Sequence, residues 1–216
     1  MIETVLQQAA GKNVVLVVEG GGAVCLKAYK DDNRVSSILF IGYPGQSGGT
    51  GLADILFGHY SPSGRLTQTF YASDFIDEVS FLDYNMRATM EGTGASTPGR
   101  GYRFYKGNSV VYPFGFGLSY TTFIYLWHDK CLSQTVSSVV DFKVSLSVNI
   151  TNIGGYPEYE ATFNKEAAES ILVYVIPPAD VSAQDPSTPM RVLRQFEKVS
   201  LAPMLLTLHL TSLILL

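Results

Sequence analysis

Ser37-Ile38-Leu39-Phe40-Ile41-Gly42-Tyr43-Pro44-Gly45-Gln46-Ser47-Gly48-Gly49-Thr50-Gly51-Leu52-Ala53-Asp54-Ile55-Leu56-Phe57-Gly58 passes from an apolar run through a glycine-rich turn into a short helical stretch. The unbroken Ile38 to Ile41 predicts a strand buried on both faces, because a half-buried strand alternates apolar with polar residues. Gly42 to Gly51 reads as a loop, and Leu52 to Phe57 as a short helix stopped by Gly58. Upstream, Val14-Val15-Leu16-Val17-Val18 is a second run of the same kind, ended by Glu19-Gly20-Gly21-Gly22. Before it, Ile2, Val5, Leu6 and Ala9 fall on one helical face, and Gly11-Lys12-Asn13 closes that helix. Strands of this kind alternating with helices predict an α/β fold, a partial α/β sandwich with a mainly parallel sheet.

Downstream the pattern changes. Ser61-Pro62-Ser63-Gly64 is a turn, and Arg65 to Tyr71 reads as an edge strand. Between Tyr102 and Trp127 ten residues are aromatic, interleaved with glycine and proline, which predicts an extended arm packed by its rings. Phe142, Val144, Leu146, Val148 and Ile150 then alternate with polar residues, as in a half-buried antiparallel strand. Ser170 to Ile176, closed by Pro177-Pro178, and Val192 to Val199 are further strands, and Leu206, Leu208 and Leu210 suggest a last one. Too few strands remain for a full sandwich. The expected organisation is an α/β segment over 1–95, an aromatic connecting arm over 96–138, and an incomplete β-sandwich over 139–216.

Composition excludes several function classes. The net charge of −4 comes without a basic run, so nucleic acid is not an expected partner. Cys25 and Cys131 read as free thiols. His59, His128 and His209 are scattered, supporting neither a metal site nor a catalytic triad. The Gly45 to Gly51 loop lacks both a Gly-Lys-Ser/Thr ending and a strict G-x-G-x-x-G, so no nucleotide and no cofactor are expected. The apolar tail from Met204 to Leu216 is shorter than the ~20 residues of a membrane helix. The first ten residues carry an early Glu3 and no apolar core, unlike a signal peptide.

Three segments together are similar to one family. Gly42-Tyr43-Pro44-Gly45-Gln46-Ser47-Gly48-Gly49, Ala53-Asp54-Ile55-Leu56-Phe57-Gly58 and Ser61-Pro62-Ser63-Gly64-Arg65-Leu66 resemble a signature of the C-terminal α/β-sandwich domain of family 3 glycoside hydrolases. Asn85-Met86-Arg87, Pro98 to Tyr105 and Tyr112 to Tyr120 resemble the β-xylosidase and α-arabinofuranosidase branch. Val144 to Thr151 and Arg194 to Val199 resemble that family's fibronectin type III-like domain. The resemblance runs over roughly residues 1–203. Thr67-Gln68 departs from the family's usual pair after Gly-Arg-Leu, and Met204 stands where a glycine is usual. The resemblance implies hydrolysis of O-glycosyl bonds in xylosides or arabinosides, within carbohydrate metabolism and xylan breakdown, in an extracellular setting. It also implies a nucleophilic Asp on a preceding (β/α)8 barrel and an acid/base Glu upstream, neither within these 216 residues. The chain alone is therefore expected to be inactive, with a non-catalytic sugar-binding or structural module as the alternative.

No catalytic residue is assigned. Glycoside hydrolysis uses two facing carboxyl groups, and Glu19, Glu78 and Glu91 are the carboxylates within the family-like region that invite the comparison. Glu19 ends a strand ahead of three glycines, a mouth position, although a solvated loop carboxylate is the commoner reading of such a residue. Arg100 and Arg103 are candidate sugar ligands, since a guanidinium donates in a fixed fork, although such arginines commonly anchor loops. Asn149-Ile150-Thr151 is an N-glycosylation sequence, with Asn149 on the polar face of its strand.

Overall fold

The computed structural model describes residues 1–89, 97–127, 143–144, 148–155, 166–185, 187–203, 206–208 and 213–214. The chain forms two compact units. The first gathers Met1–Leu52, Leu66–Phe116 and Ile176–Arg191, and the second Ala53–Arg65, Gly117–Val175 and Val192–Leu216.

The first unit begins with helix α1 (Ile2–Gln8), which buries Leu6. Ala10 and Gly11 take positive φ and turn the chain into strand β1 (Val14–Glu19). A short helix α2 (Lys27–Lys30) lies on the crossover to β2 (Val35–Gly42), which pairs with β1 in parallel. This is the connection that parallel strands require. Exposure along β1 alternates, with Val14, Leu16 and Val18 half-buried and Val15 and Val17 exposed. The expected two-sided burial is corrected here. A run of Val and Leu carries the same side chains on both faces, so composition cannot tell one covered face from two.

Of the mainly parallel sheet expected for the α/β segment, the described residues hold one parallel pair. β1 and β2 are the parallel pair, and the other four sheets among the described residues are antiparallel. The strand expected over Arg65 to Tyr71 shortens to β3 (Phe70–Tyr71), which pairs antiparallel with β4 (Val110–Tyr112) from the aromatic arm. Helix α3 (Gly48–Leu56) starts earlier than predicted, inside the glycine-rich stretch, and Gly48 packs directly on the Pro44 ring, where a Cβ would come within 2.5 Å of it.

Rings from the arm and from the segments before it pack together in this unit. Phe70 (1% exposed) meets Phe40 edge-on at 5.1 Å, Tyr71 stacks on Phe75 at 4.0 Å, and Tyr102 stacks on Phe114 at 4.2 Å. Helix α4 (Phe75–Glu78) and helix α5 (Gly101–Phe104) are single turns that present these rings. Helix α6 (Ala179–Gln184) follows Pro178 with Asp180 in its first turn, a start suited to the helix dipole that the Ser- and Pro-rich sequence obscured.

In the second unit, β5 (Phe123–Trp127), β7 (Val148–Asn152) and β10 (Leu206–Leu208) form an antiparallel sheet with β7 central. Between β5 and β7 in sequence, β6 (Lys143–Val144) pairs with β11 (Leu213–Ile214). A long pair, β8 (Ala167–Val175) and β9 (Val192–Leu201), makes the other sheet. Val148 and Ile150 of β7 meet Ile171, Val199 and Leu201 of the long pair in one core. Asn152 is fully buried, donating to the Leu201 carbonyl at 3.0 Å and accepting from the Gly154 amide at 2.9 Å, so it ties the two sheets together.

Candidate functional site

Glu19 ends β1 directly beside Gly42, the last residue of β2, and the Gly20 amide donates to the Gly42 carbonyl at 3.1 Å. Both strands thus open at their carboxyl ends, the edge where α/β folds usually bind ligands. Gly21 lies flat against the Tyr43 ring, where a Cβ would approach to 2.8 Å, and Tyr43 is itself 77% exposed. The result is an open rim with one exposed carboxylate and one exposed ring.

Arg100 and Arg103 do not join that rim. The Arg100 guanidinium donates to the carbonyls of Ser80 and Asp83, leaving its buried Nε without a partner. Arg103 lies on the Tyr102 ring at 5.6 Å and donates to the Tyr102 hydroxyl at 3.2 Å. No hydrogen bond or ion pair among the described residues connects either arginine to Glu19. Gly99, just before Arg100, takes φ +83° with its Cα against the Phe104 carbonyl and the Ala88 amide, an approach that any side chain would block. Glu78 is engaged locally, accepting from the Tyr105 hydroxyl and at 2.5 Å from the Ser109 hydroxyl. Burial raises the Tyr105 phenol above its ordinary value, and the Glu78 carboxylate adds to this. Glu91, Cys131, His128 and His209 lie outside the described residues, while Cys25 is an exposed thiol.

The second unit holds a cluster that no sequence motif announced. Glu169 of β8 is 1% exposed; it accepts from Arg65 and from the Tyr125 hydroxyl, and Arg65 also donates to the Gly117 carbonyl. The available signal was parity: Ala167, Glu169, Ile171 and Val173 share one face of β8, so Glu169 interrupts an otherwise apolar row. The rest of the Ser61 to Arg65 turn is tied down nearby. Ser61 bonds to the Ser119 hydroxyl at 2.8 Å, the Ser63 carbonyl accepts from Ser170 at 2.8 Å, and Tyr120 donates to the Ile55 carbonyl at 2.8 Å. His59, close by in sequence, makes an exposed pair with Asp54 at 3.0 Å.

Burial, followed by the hydrogen bond to Glu169, pushes the Tyr125 phenol well above its ordinary value. A raised pKa means that the fold prefers the protonated phenol. Its contribution to stability is complete below the unfolded value of about 10 and is lost as pH rises beyond it. Thermal melting from pH 8 to 11 should therefore show an alkaline loss of stability that is smaller in Tyr125→Phe. An identical loss in both proteins would separate Tyr125 from the effect.

Among the described residues no group of three or more His, Cys, Asp or Glu is placed to hold a metal ion. No helix there is long and apolar enough to cross a membrane. Asn149 sits on central strand β7, half-buried, on the face opposite Ile150.

Residues 1–120 match the model of the glycosyl hydrolase family 3 C-terminal domain. The chain belongs to that family. It is 36% identical over 191 residues to beta-D-xylosidase 1 of Arabidopsis thaliana, an alignment covering 81% of this chain and 24% of the relative. It is 35% identical over 211 residues to beta-xylosidase/alpha-L-arabinofuranosidase 1 of Medicago sativa subsp. varia, covering 88% of this chain and 25% of the relative. Among solved structures, a family 3 exo-beta-xylosidase, XlnD, superposes with a TM-score of 0.73 at 28% identity, over 99% of this chain and 27% of that one. A beta-glucosidase from Kluyveromyces marxianus superposes at 0.68 and 26% identity, over 99% of this chain and 23% of that one. The family 3 chain described here thus spans about a quarter of the length of these relatives.

Proposed function

We propose that this chain serves as the C-terminal part of a glycosidase acting on xylosides or arabinosides, in an extracellular setting. The observation that carries the reading is the similarity to β-xylosidases and to a β-xylosidase/α-L-arabinofuranosidase over more than four-fifths of the chain. The modular order proposed is the end of the α/β-sandwich domain over 1–95, the aromatic arm over 96–138, and a fibronectin type III-like sandwich over 139–216. Two facing sheets in the second unit support the last of these.

In this reading the chain's part in the reaction is to shape and support. Glu19 and Tyr43 offer a carboxylate and a ring at an open strand edge, where sugar hydroxyls and a sugar's apolar face could be met. Arg100 and Arg103 act as loop anchors, since their donors are directed at backbone carbonyls and a neighbouring tyrosine. No nucleotide enters the reading, because α3 opens without the lysine that a phosphate cradle uses.

The test is a chimera. The corresponding C-terminal segment of an active family 3 β-xylosidase is replaced by residues 1–203 of this chain. The expected result is retained hydrolysis of nitrophenyl β-xyloside, with KM close to the parent, where deletion of the segment abolishes it. A folded chimera as inactive as the deletion would overturn the proposal and favour the structural-module alternative.

A further inference from the structure

Asn149-Ile150-Thr151 is the sole Asn-x-Ser/Thr sequence of the chain. Strand β7 gives it a definite geometry. Residues two apart on a strand share a face. Val148, Ile150 and Asn152 are buried on the core side, which places Asn149 and Thr151 together on the other, half-buried side. An oligosaccharyl transferase reads the amide and the hydroxyl as a pair, and both lie on the same side here.

On one side the neighbours on that face come from β5, and on the other Leu206 of β10 pairs with Thr151. Leu126 stands opposite Asn149 and Ile124 opposite Thr151, and they are 61% and 42% exposed. Directly paired residues on antiparallel strands bring their Cβ atoms within about 5.5 Å. The Asn149 amide therefore adjoins a small apolar patch. Its Oδ1 is buried and has no hydrogen-bond partner, so the amide is not used to hold the sheet together.

We infer that Asn149 carries an N-linked glycan whose first sugar covers Leu126 and Ile124. A sugar ring presents C–H groups on one face and suits such a patch, while its hydroxyls face water. In the modification, the Asn149 Nδ2 forms a bond to the anomeric carbon of an N-acetylglucosamine carried by a lipid pyrophosphate. The sugar–phosphate bond breaks, the lipid pyrophosphate leaves, and the amide proton passes to the transferase's base. The inference rests on the extracellular setting proposed above. Its test supplies secretion separately, so that the two can fail independently.

The full chain is expressed in a eukaryotic host behind an added signal sequence. The secreted protein is expected to run as a glycoform, and enzymatic release of the glycan should remove the mobility shift and convert residue 149 to Asp. The shift should be lost in Asn149→Gln and in Thr151→Ala and kept in Thr151→Ser, which preserves the hydroxyl. Release should also increase binding of a hydrophobic dye, and Leu126→Ser/Ile124→Ser should abolish that increase. Secreted, folded protein with residue 149 unmodified would overturn the inference, as would dye binding unchanged by release. Failure of the xylosidase chimera would leave this result standing.

Discussion

Purified alone, the 216-residue chain is expected to leave nitrophenyl β-xyloside and nitrophenyl α-arabinofuranoside at the background rate of hydrolysis. A retaining glycosidase needs two carboxyl groups about 5 Å apart across the scissile bond, and a single positioned acid or base contributes roughly 10²–10⁴-fold. The three carboxylates that the candidate site brings into view each have another setting. Glu19 is exposed at a strand end, Glu78 is held by Tyr105 and Ser109, and Glu169 is buried against Arg65. The family resemblance implies a nucleophile and an acid/base on segments other than these residues. The assay uses a full-length relative as positive control. Turnover well above background that disappears in Glu19→Gln or Glu91→Gln would place an active site within this chain and overturn the expectation.

The second large effect concerns stability. Arg65→Ala should destabilise the second unit by about 3–5 kcal/mol, the usual cost of leaving a buried charge without its partner. The Glu169 side chain is 2% exposed and that of Arg65 is 22% exposed, so water cannot readily replace the lost guanidinium. Arg65 also donates to the Gly117 carbonyl, which loses a partner in the same substitution. Removing both charges together, as Arg65→Met/Glu169→Leu, should restore much of the loss, because an apolar pair of similar size avoids the desolvation penalty. Trp127, the sole tryptophan, lies on β5 of the same unit and reports urea unfolding by fluorescence. A single substitution as stable as the parent would show that the ion pair is not coupled to the fold.

How much of this was legible in the sequence depends on what each element uses as its signal. The strands of the second unit were readable because polar residues mark their open face: Asn149 and Thr151 alternate with Val148 and Ile150 in sequence as in burial. The strand closed by Pro177-Pro178 was legible from its own apolar run, Ile171 to Ile176, now β8. Val14 to Val18 gave its existence but not its environment, since nothing in an all-apolar run distinguishes a covered side from an open one. β3 and β4 are two and three residues long, too short for any periodicity, and pair through contacts far apart in sequence. At the candidate site, Glu19 could be placed at a strand end from its glycines. Glu169 could not be assigned a partner, because Arg65 lies 104 residues away from it. Arg100 was recognisable as an unusual residue, but only the fold directs its guanidinium onto the Ser80 and Asp83 carbonyls.

The division of the chain into two interleaved units has a consequence for its birth on the ribosome. Contributions to the first unit arrive in three instalments, the last being Ile176–Arg191, and the second unit finishes with Val192–Leu216. A nascent chain emerging from the N-terminus cannot complete one unit and then begin the other, as beads on a string would. β8 must wait for its partner β9, which follows it only after Ile176–Arg191, a stretch that belongs to the first unit. Synthesis that stops anywhere before residue 191 leaves both units unfinished, so a prematurely terminated product offers the cell's proteases two incomplete halves instead of one finished module.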